Sequence, residues 1–196
     1  YIKYLFMILL ILNITLFSSC AENKQLDVEN KPIDLGIPTK KYYPSNNIAR
    51  CVWDMKIFNN KLYIGCGDYN NNSGPTPVLY TSLDDIGNWH EEGVLPDEQI
   101  GRFCIINGNL TIPGFDPMGT PHLGTYYQLE DVTWKTYCGI LDGQHNFDLV
   151  SFDGQLFAGI GAKRGLTPII ATYDNKNFVR IPMYKNGQYI TTTGGE

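Results

Sequence analysis

Three ionisable residues stand at matched places along the chain: Asp54, Arg102 and Asp148, separated by 48 and 46 residues. Two carboxylates and a guanidinium brought to one concave face could hold a polar ligand such as a sugar or a peptide by hydrogen bonds and ion pairs. The same groups could instead brace the fold, the two aspartates accepting backbone N–H groups and the arginine pairing with them. Segments 67–76, 114–122 and 160–167 add Asp68, Asp116, His122, Lys163 and Arg164, so the candidate ligand-binding set is Asp54, Arg102, Asp148, His122 and Arg164. Other chemistries find no residues. His90, His122 and His145 form no H-x-x-x-H pair, no Cys-x-x-Cys occurs and no Gly-x-x-x-x-Gly-Lys loop is present, so neither a metal nor a cofactor is expected. No catalytic constellation is visible.

What must position these groups is a hairpin written three times. Phe58-Asn59-Asn60-Lys61-Leu62-Tyr63-Ile64-Gly65 is followed by Ile106-Asn107-Gly108-Asn109-Leu110-Thr111-Ile112 and then by Phe152-Asp153-Gly154-Gln155-Leu156-Phe157-Ala158-Gly159. A two-residue connection between right-twisted strands favours a type I′ turn, with both central residues at positive φ, where Gly, Asn and Asp suffer least. Around the turns the apolar residues align: Met55, Phe103 and Leu149 in the first strand, Leu62, Leu110 and Leu156 in the second. A weaker strand pair follows each hairpin, at Thr76–Asp84, Leu123–Glu130 and Thr167–Asp174, and an aromatic closes each unit, Trp89, Trp134 and Phe178. Four strands repeated at an interval in the mid-forties is the make-up of a β-propeller blade. The fold class is therefore all-β, with three four-stranded blades at about 51–95, 100–140 and 145–183 within a propeller region at 48–196. Three blades are too few to close a ring, so the expectation is part of a larger ring of about six to eight blades, or an open arc whose edges need a partner. Asn186-Gly187 comes only 33 residues after Asp153-Gly154 and does not fit the period.

Ser82-Leu83-Asp84-Asp85-Ile86-Gly87-Asn88-Trp89 resembles the Asp box of the BNR, sialidase-like repeat, Ser-x-Asp-x-Gly-x-Thr-Trp, with Ser82, Asp84 and Trp89 matching and the glycine one place late. Thr133-Trp134 keeps the end of the motif, and Thr172, Asp174 and Phe178 keep parts of a third copy. The resemblance implies a BNR-like propeller, with a kelch-like one next, and a structural role for the box: short polar side chains hold a turn while the aromatic covers the blade edge.

The N-terminus carries a different signal. Tyr4 to Phe17 is almost wholly apolar and follows Lys3, a run too short to span a bilayer comfortably and of the length of a signal-peptide core, which makes 1–19 a leader. Leu16-Phe17-Ser18-Ser19-Cys20 resembles the lipobox of bacterial lipoproteins, which implies lipidation at Cys20 and a place in the cell envelope, periplasmic or at the cell surface, with the membrane as partner. An ordinary cleaved signal with a coincidental cysteine is the alternative. Residues 20–47 are rich in charge with scattered proline and read as a flexible tether. The remaining cysteines, Cys51, Cys66, Cys104 and Cys138, can be free buried thiols or disulfides, with a Cys51 to Cys66 bond in reach if Asn59-Asn60 is a turn.

Formal charge of -5 with no basic patch excludes nucleic acid as a partner. The expected function is a non-catalytic, membrane-anchored lipoprotein that binds a glycan or a protein. The alternative is an exo-sialidase-like glycoside hydrolase: Val179-Arg180-Ile181-Pro182 resembles the sialidase Arg-Ile-Pro motif, although it follows the third repeat instead of preceding the first Asp box.

Overall fold

The computed structural model describes residues 32–116, 124–137, 139, 143–162, 169–173, 178–182 and 184–189. Residues 1–19, read from sequence as a leader, and Cys20, His122, Lys163, Arg164, Asp174 and Cys138 lie outside the described residues. Three antiparallel four-stranded sheets follow one another, each a meander in chain order. The first holds β1 (Asp54–Phe58), β2 (Lys61–Gly65), β3 (Thr76–Ser82) and β4 (Trp89–Leu95). The second holds β5 (Cys104–Ile106), β6 (Asn109–Pro113), β7 (Tyr126–Glu130) and β8 (Thr133–Tyr137). The third holds β9 (Gly143–Phe152), β10 (Gln155–Ala162), β11 (Ile169–Tyr173) and β12 (Phe178–Arg180), and a short hairpin, β13 (Tyr184–Lys185) with β14 (Gln188–Tyr189), comes after it.

The turns take the geometry their residues require. Asn59 and Asn60 have φ of 46° and 60°, Asn107 and Gly108 51° and 82°, and Asp153 and Gly154 49° and 72°. Registers Phe58↔Lys61, Ile106↔Asn109 and Phe152↔Gln155 leave two residues in each loop. Asn186-Gly187, off the period, still makes the same turn, with φ of 52° and 77° between Lys185 and Gln188.

Because successive side chains in a strand point to opposite faces, the second sheet packs on both of the others. Phe103, Leu110, Ile112 and Tyr127 of the second sheet meet Tyr63 and Val78 of the first. Its opposite face sends Cys104, Ile106 and Tyr126 against Leu149, Leu156 and Phe178 of the third. A fully buried Leu or Ile in such a layer contributes about 1.5–3 kcal/mol.

Met55 departs from the expected alignment. Phe103 and Leu149 are buried at 3% and 4% exposure while Met55 is 61% exposed. The reason is that this position points toward the preceding sheet, and on the first sheet the described residues place no sheet there. Part of that face is covered instead by residues 34–50. The compact unit begins at Asp34, so the second half of the stretch read as a tether is packed: Thr39 and Tyr43 are buried, the Thr39 hydroxyl donates to the Arg50 carbonyl at 3.0 Å, and Tyr43, Ala49 and Cys66 form a small core. These contacts depend on individual side chains and have no period to read.

The closing aromatics do more than finish a turn. Trp134 lies against Gly93 of β4, where a Cβ would come within 3.1 Å of the ring, and Phe178 meets Tyr126 of the second sheet edge-on at 5.7 Å. Trp89 donates its ring N–H to the Leu35 carbonyl at 2.8 Å, so the N-terminal segment receives it as a preceding sheet receives the others. In the β3–β4 turn the Asp84 carboxylate accepts from Asn60 at 2.6 Å, tying that turn to the β1–β2 turn, and the Thr81 hydroxyl accepts from Gly87 N–H at 2.9 Å.

Where the chain enters the second and third sheets it crosses the end of the preceding sheet's second strand at backbone contact. Ile100 N–H donates to the Cys66 carbonyl at 2.8 Å, and Asn146 N–H donates to Gly114 at 2.9 Å. The flanking bridges Gly67↔Gln99 and Phe115↔His145 occupy the same places in the repeat. A Cβ on Gly65 would clash with the Ile100 carbonyl, and one on Gly67 with that of Glu98. Gly65→Ala is therefore expected to cost about 1–3 kcal/mol in urea unfolding. Gly154→Ala, at a turn with open space but φ of 72°, is expected to cost about 1 kcal/mol; a smaller loss at Gly65 than at Gly154 would contradict the junction's tightness.

Candidate functional site

The first strands β1, β5 and β9 border a cleft of about 450 Å³ lined by Asp54, Lys56, Arg102, Cys104, Asp148 and Val150, among others. The structure thus brings together Asp54, Arg102 and Asp148, one from each repeat. Their bonds form a ladder. The Asp54 carboxylate accepts from Phe103 N–H in the second sheet at 2.7 Å and from Met55 N–H at 2.9 Å. The Arg102 guanidinium donates to Asp148 in the third sheet at 2.5 Å, and Asp148 also accepts from Leu149 N–H at 2.9 Å. The bracing role weighed from sequence is present in these contacts, most fully at Asp54. Arg102 and Asp148 are about half exposed, at 52% and 51% of their side chains, and so present charge to the cleft while bonded to each other. The neighbouring carboxylate holds the Arg102 guanidinium above its ordinary range.

The other two described arginines stand elsewhere. Arg50 donates to the carbonyls of Tyr43 and Pro44 within the N-terminal segment. Arg180 ends β12, three strands from β9, or about 14 Å at ordinary strand spacing. The three described arginines form no carboxylate clamp.

At the same end of the sheets, sequence reasoning missed a group of rings. Tyr69 from the β2–β3 connection meets Phe115, after β6, edge-on at 5.2 Å. Phe115 lies 4.5 Å from His145 and 5.5 Å from Phe147, both in β9. All three repeats contribute. Tyr69 and Phe115 each adjoin a loop aspartate singled out in the sequence, Asp68 and Asp116, and that adjacency is the signal that was there to find.

Asp68 anchors its loop: buried, it accepts from Asn70 N–H at 3.1 Å and from the Asn46 amide at 3.2 Å. Nearby Glu98 is nearly buried, and desolvation together with the Asp116 and Asp68 charges raises its carboxyl pKa. Asp97, 1% exposed, faces the Tyr127 hydroxyl and Phe115 N–H without a well-formed bond, and burial pushes its pKa up to about 6. Cys51, Cys66 and Cys104 are free thiols, Cys66 and Cys104 buried and Cys51 exposed, and burial pushes Cys66 to about 12 and Cys104 to about 11.

No protein-family model matches the chain, and no curated protein matches it either.

Two measurements follow. Asp54→Ala removes a carboxylate from a backbone N–H across a sheet junction and should cost about 1–2 kcal/mol. Arg102→Ala breaks a half-exposed ion pair and should cost less than about 1 kcal/mol, shrinking further in high salt. Equal losses would contradict the ladder's asymmetry. Asp97 keeps its proton in the fold up to about pH 6, whereas the unfolded chain releases it near 3.8. The native state binds more protons in that window, so stability falls as pH rises through it, by roughly 1–3 kcal/mol. Asp97→Asn should flatten that slope and raise the unfolding midpoint at pH 7; an unchanged slope would contradict the assignment.

Proposed function

We propose that the three sheets are consecutive blades of a BNR-like β-propeller carried by an exported lipoprotein, and that it acts as a non-catalytic binding module for a glycan or a protein. The observation that carries the reading is the cleft along β1, β5 and β9, where equivalent residues of three repeats, Asp54, Arg102 and Asp148, supply alternating charge. Mixed charges on a concave wall suit a polar ligand with hydroxyl, carboxylate or amide groups, because each can find a partner of opposite kind. Sequence support for the address is the apolar Tyr4–Phe17 run followed by Ser18, Ser19 and Cys20, the last of which would anchor the module to a membrane of the cell envelope.

The sialidase-like alternative draws no support from the described arginines, since Arg102 leads into β5 and Arg180 ends β12, the first and last strands of their sheets.

The test is binding and turnover with the full-length protein. Retention on a glycan or peptide array, weakened about tenfold or more by Arg102→Ala with little change in melting temperature, is the expected result. Hydrolysis of a fluorogenic sialoside, or array binding indifferent to Arg102→Ala and Asp148→Asn, would overturn it.

A further inference from the structure

The cleft beside β1, β5 and β9 is met by strand edges. Its lining runs through consecutive residues, Arg102 to Ile106 and Asp148 to Ser151. A strand turned face-on would line it with every second residue, so consecutive lining brings backbone as well as side chains to the surface. β5 and β9 are each the terminal strand of their sheet and pair on one side alone. On the open side the N–H groups of Phe103 and Leu149 are taken by the Asp54 and Asp148 carboxylates. Ladder alternation turns the N–H and C=O groups of Ile105 and Ser151, two residues further on, out from the same edges.

The side chains leave donors open and acceptors occupied. The Asp54 carboxylate takes Phe103 N–H and Met55 N–H, and Asp148 takes Arg102, Leu149 N–H and, at 3.7 Å, the Cys104 thiol. Arg102, half exposed, bonds through Nη1 and has its other nitrogens open. Lys56 lies two residues beyond Asp54 on the same side of β1 and makes no hydrogen bond or ion pair among the described residues. It plays no part in bracing, since its counterparts in the other repeats are Cys104 and Val150. A guanidinium and an ammonium carry donors alone. What the cleft lacks is therefore an acceptor, and a carboxylate answers both cations at once.

The rest of the wall is aliphatic. Ile105 is 42% and Val150 56% exposed, whereas Phe103, the aromatic of the lining, is 3% exposed. A sugar finds no open ring there to stack on, and the rings of Tyr69, Phe115 and Phe147 are not part of the lining. An extended peptide brings what the edges and the wall require: alternating backbone N–H and C=O groups, and side chains directed to alternate sides.

We propose that the cleft takes an extended acidic peptide segment of a protein partner, its carboxylate held by Lys56 and the open side of Arg102, its backbone along the Ile105 and Ser151 edges, and a neighbouring aliphatic side chain against Ile105 and Val150. This narrows the glycan-or-protein reading above to a protein ligand and rests on it. A basic peptide would set its charge against Lys56 and Arg102 while both aspartates are already occupied.

The test is an array of random peptides beside a glycan array, both probed with labelled full-length protein, followed by fluorescence anisotropy on the tightest peptide. Retained peptides should be enriched in aspartate or glutamate next to valine, isoleucine or threonine. Replacing the acidic residue of that peptide by its amide should weaken binding roughly tenfold, the worth of one charge-assisted hydrogen bond. Lys56→Ala should do the same with an unchanged melting temperature, Lys56→Arg should retain affinity, and high salt should weaken it. Retained peptides without acidic enrichment, or binding indifferent to Lys56→Ala, would overturn the carboxylate's place and leave the binding module standing. Retention on the glycan array alone would overturn the peptide ligand and likewise leave the module. Empty arrays of both kinds would overturn this inference together with the reading it rests on.

Discussion

The structure depends on how closely the backbone entering each following sheet can approach the end of the strand it crosses. At the first junction Ile100 N–H reaches the Cys66 carbonyl, and at the second Asn146 N–H reaches Gly114. Gly65 and Gly67 leave the space that a side chain would fill. Without that approach Phe103 and Leu149 would not reach the sheets behind them, and the layers of buried Leu, Ile and aromatic residues would not form. The same crossing sets Asp54, Arg102 and Asp148 beside one another and brings Tyr69, Phe115 and His145 together. One backbone constraint therefore builds both the core and the candidate site.

Stacking sheets through repeated contacts creates an end problem. Each closing aromatic needs something to lie on: Trp134 has Gly93 and Phe178 has Tyr126. Trp89 has the N-terminal segment, through the Leu35 carbonyl. That segment covers only part of the face, and Met55 and Ile57 remain 61% and 62% exposed. Val150 and Phe152 of the third sheet are likewise open, at 56% and 73%. Exposed apolar side chains at both ends are what a stacking series leaves wherever a neighbour is not among the described residues.

Much of the fold is legible in the sequence, for a local reason. Positive φ confines two-residue turns to Asn, Asp and Gly, and the residues at 59–60, 107–108 and 153–154 satisfy that requirement in place. Strand alternation then sorts Phe103 to one face and Cys104 to the other. The charged ladder was legible too, because it sits at a fixed distance from each turn. The packed stretch from Asp34 was not, since Thr39 and Tyr43 are buried by single contacts without a period. Nor was the grouping of Tyr69, Phe115 and Phe147, because the first two lie in connections and the third in β9, and only packing between repeats brings them together.

The amino-acid sequence by itself determined the three repeated hairpins and the register of their apolar residues, because turn chemistry and two-residue periodicity act over a few neighbouring positions. Only the tertiary structure decided which face each sheet shows to the next, that Asp54 binds a backbone N–H while Arg102 pairs with Asp148, and that aromatics from three repeats share one surface. Those outcomes join residues some fifty positions apart, and they are set by backbone approach and the exclusion of water, which no local pattern encodes.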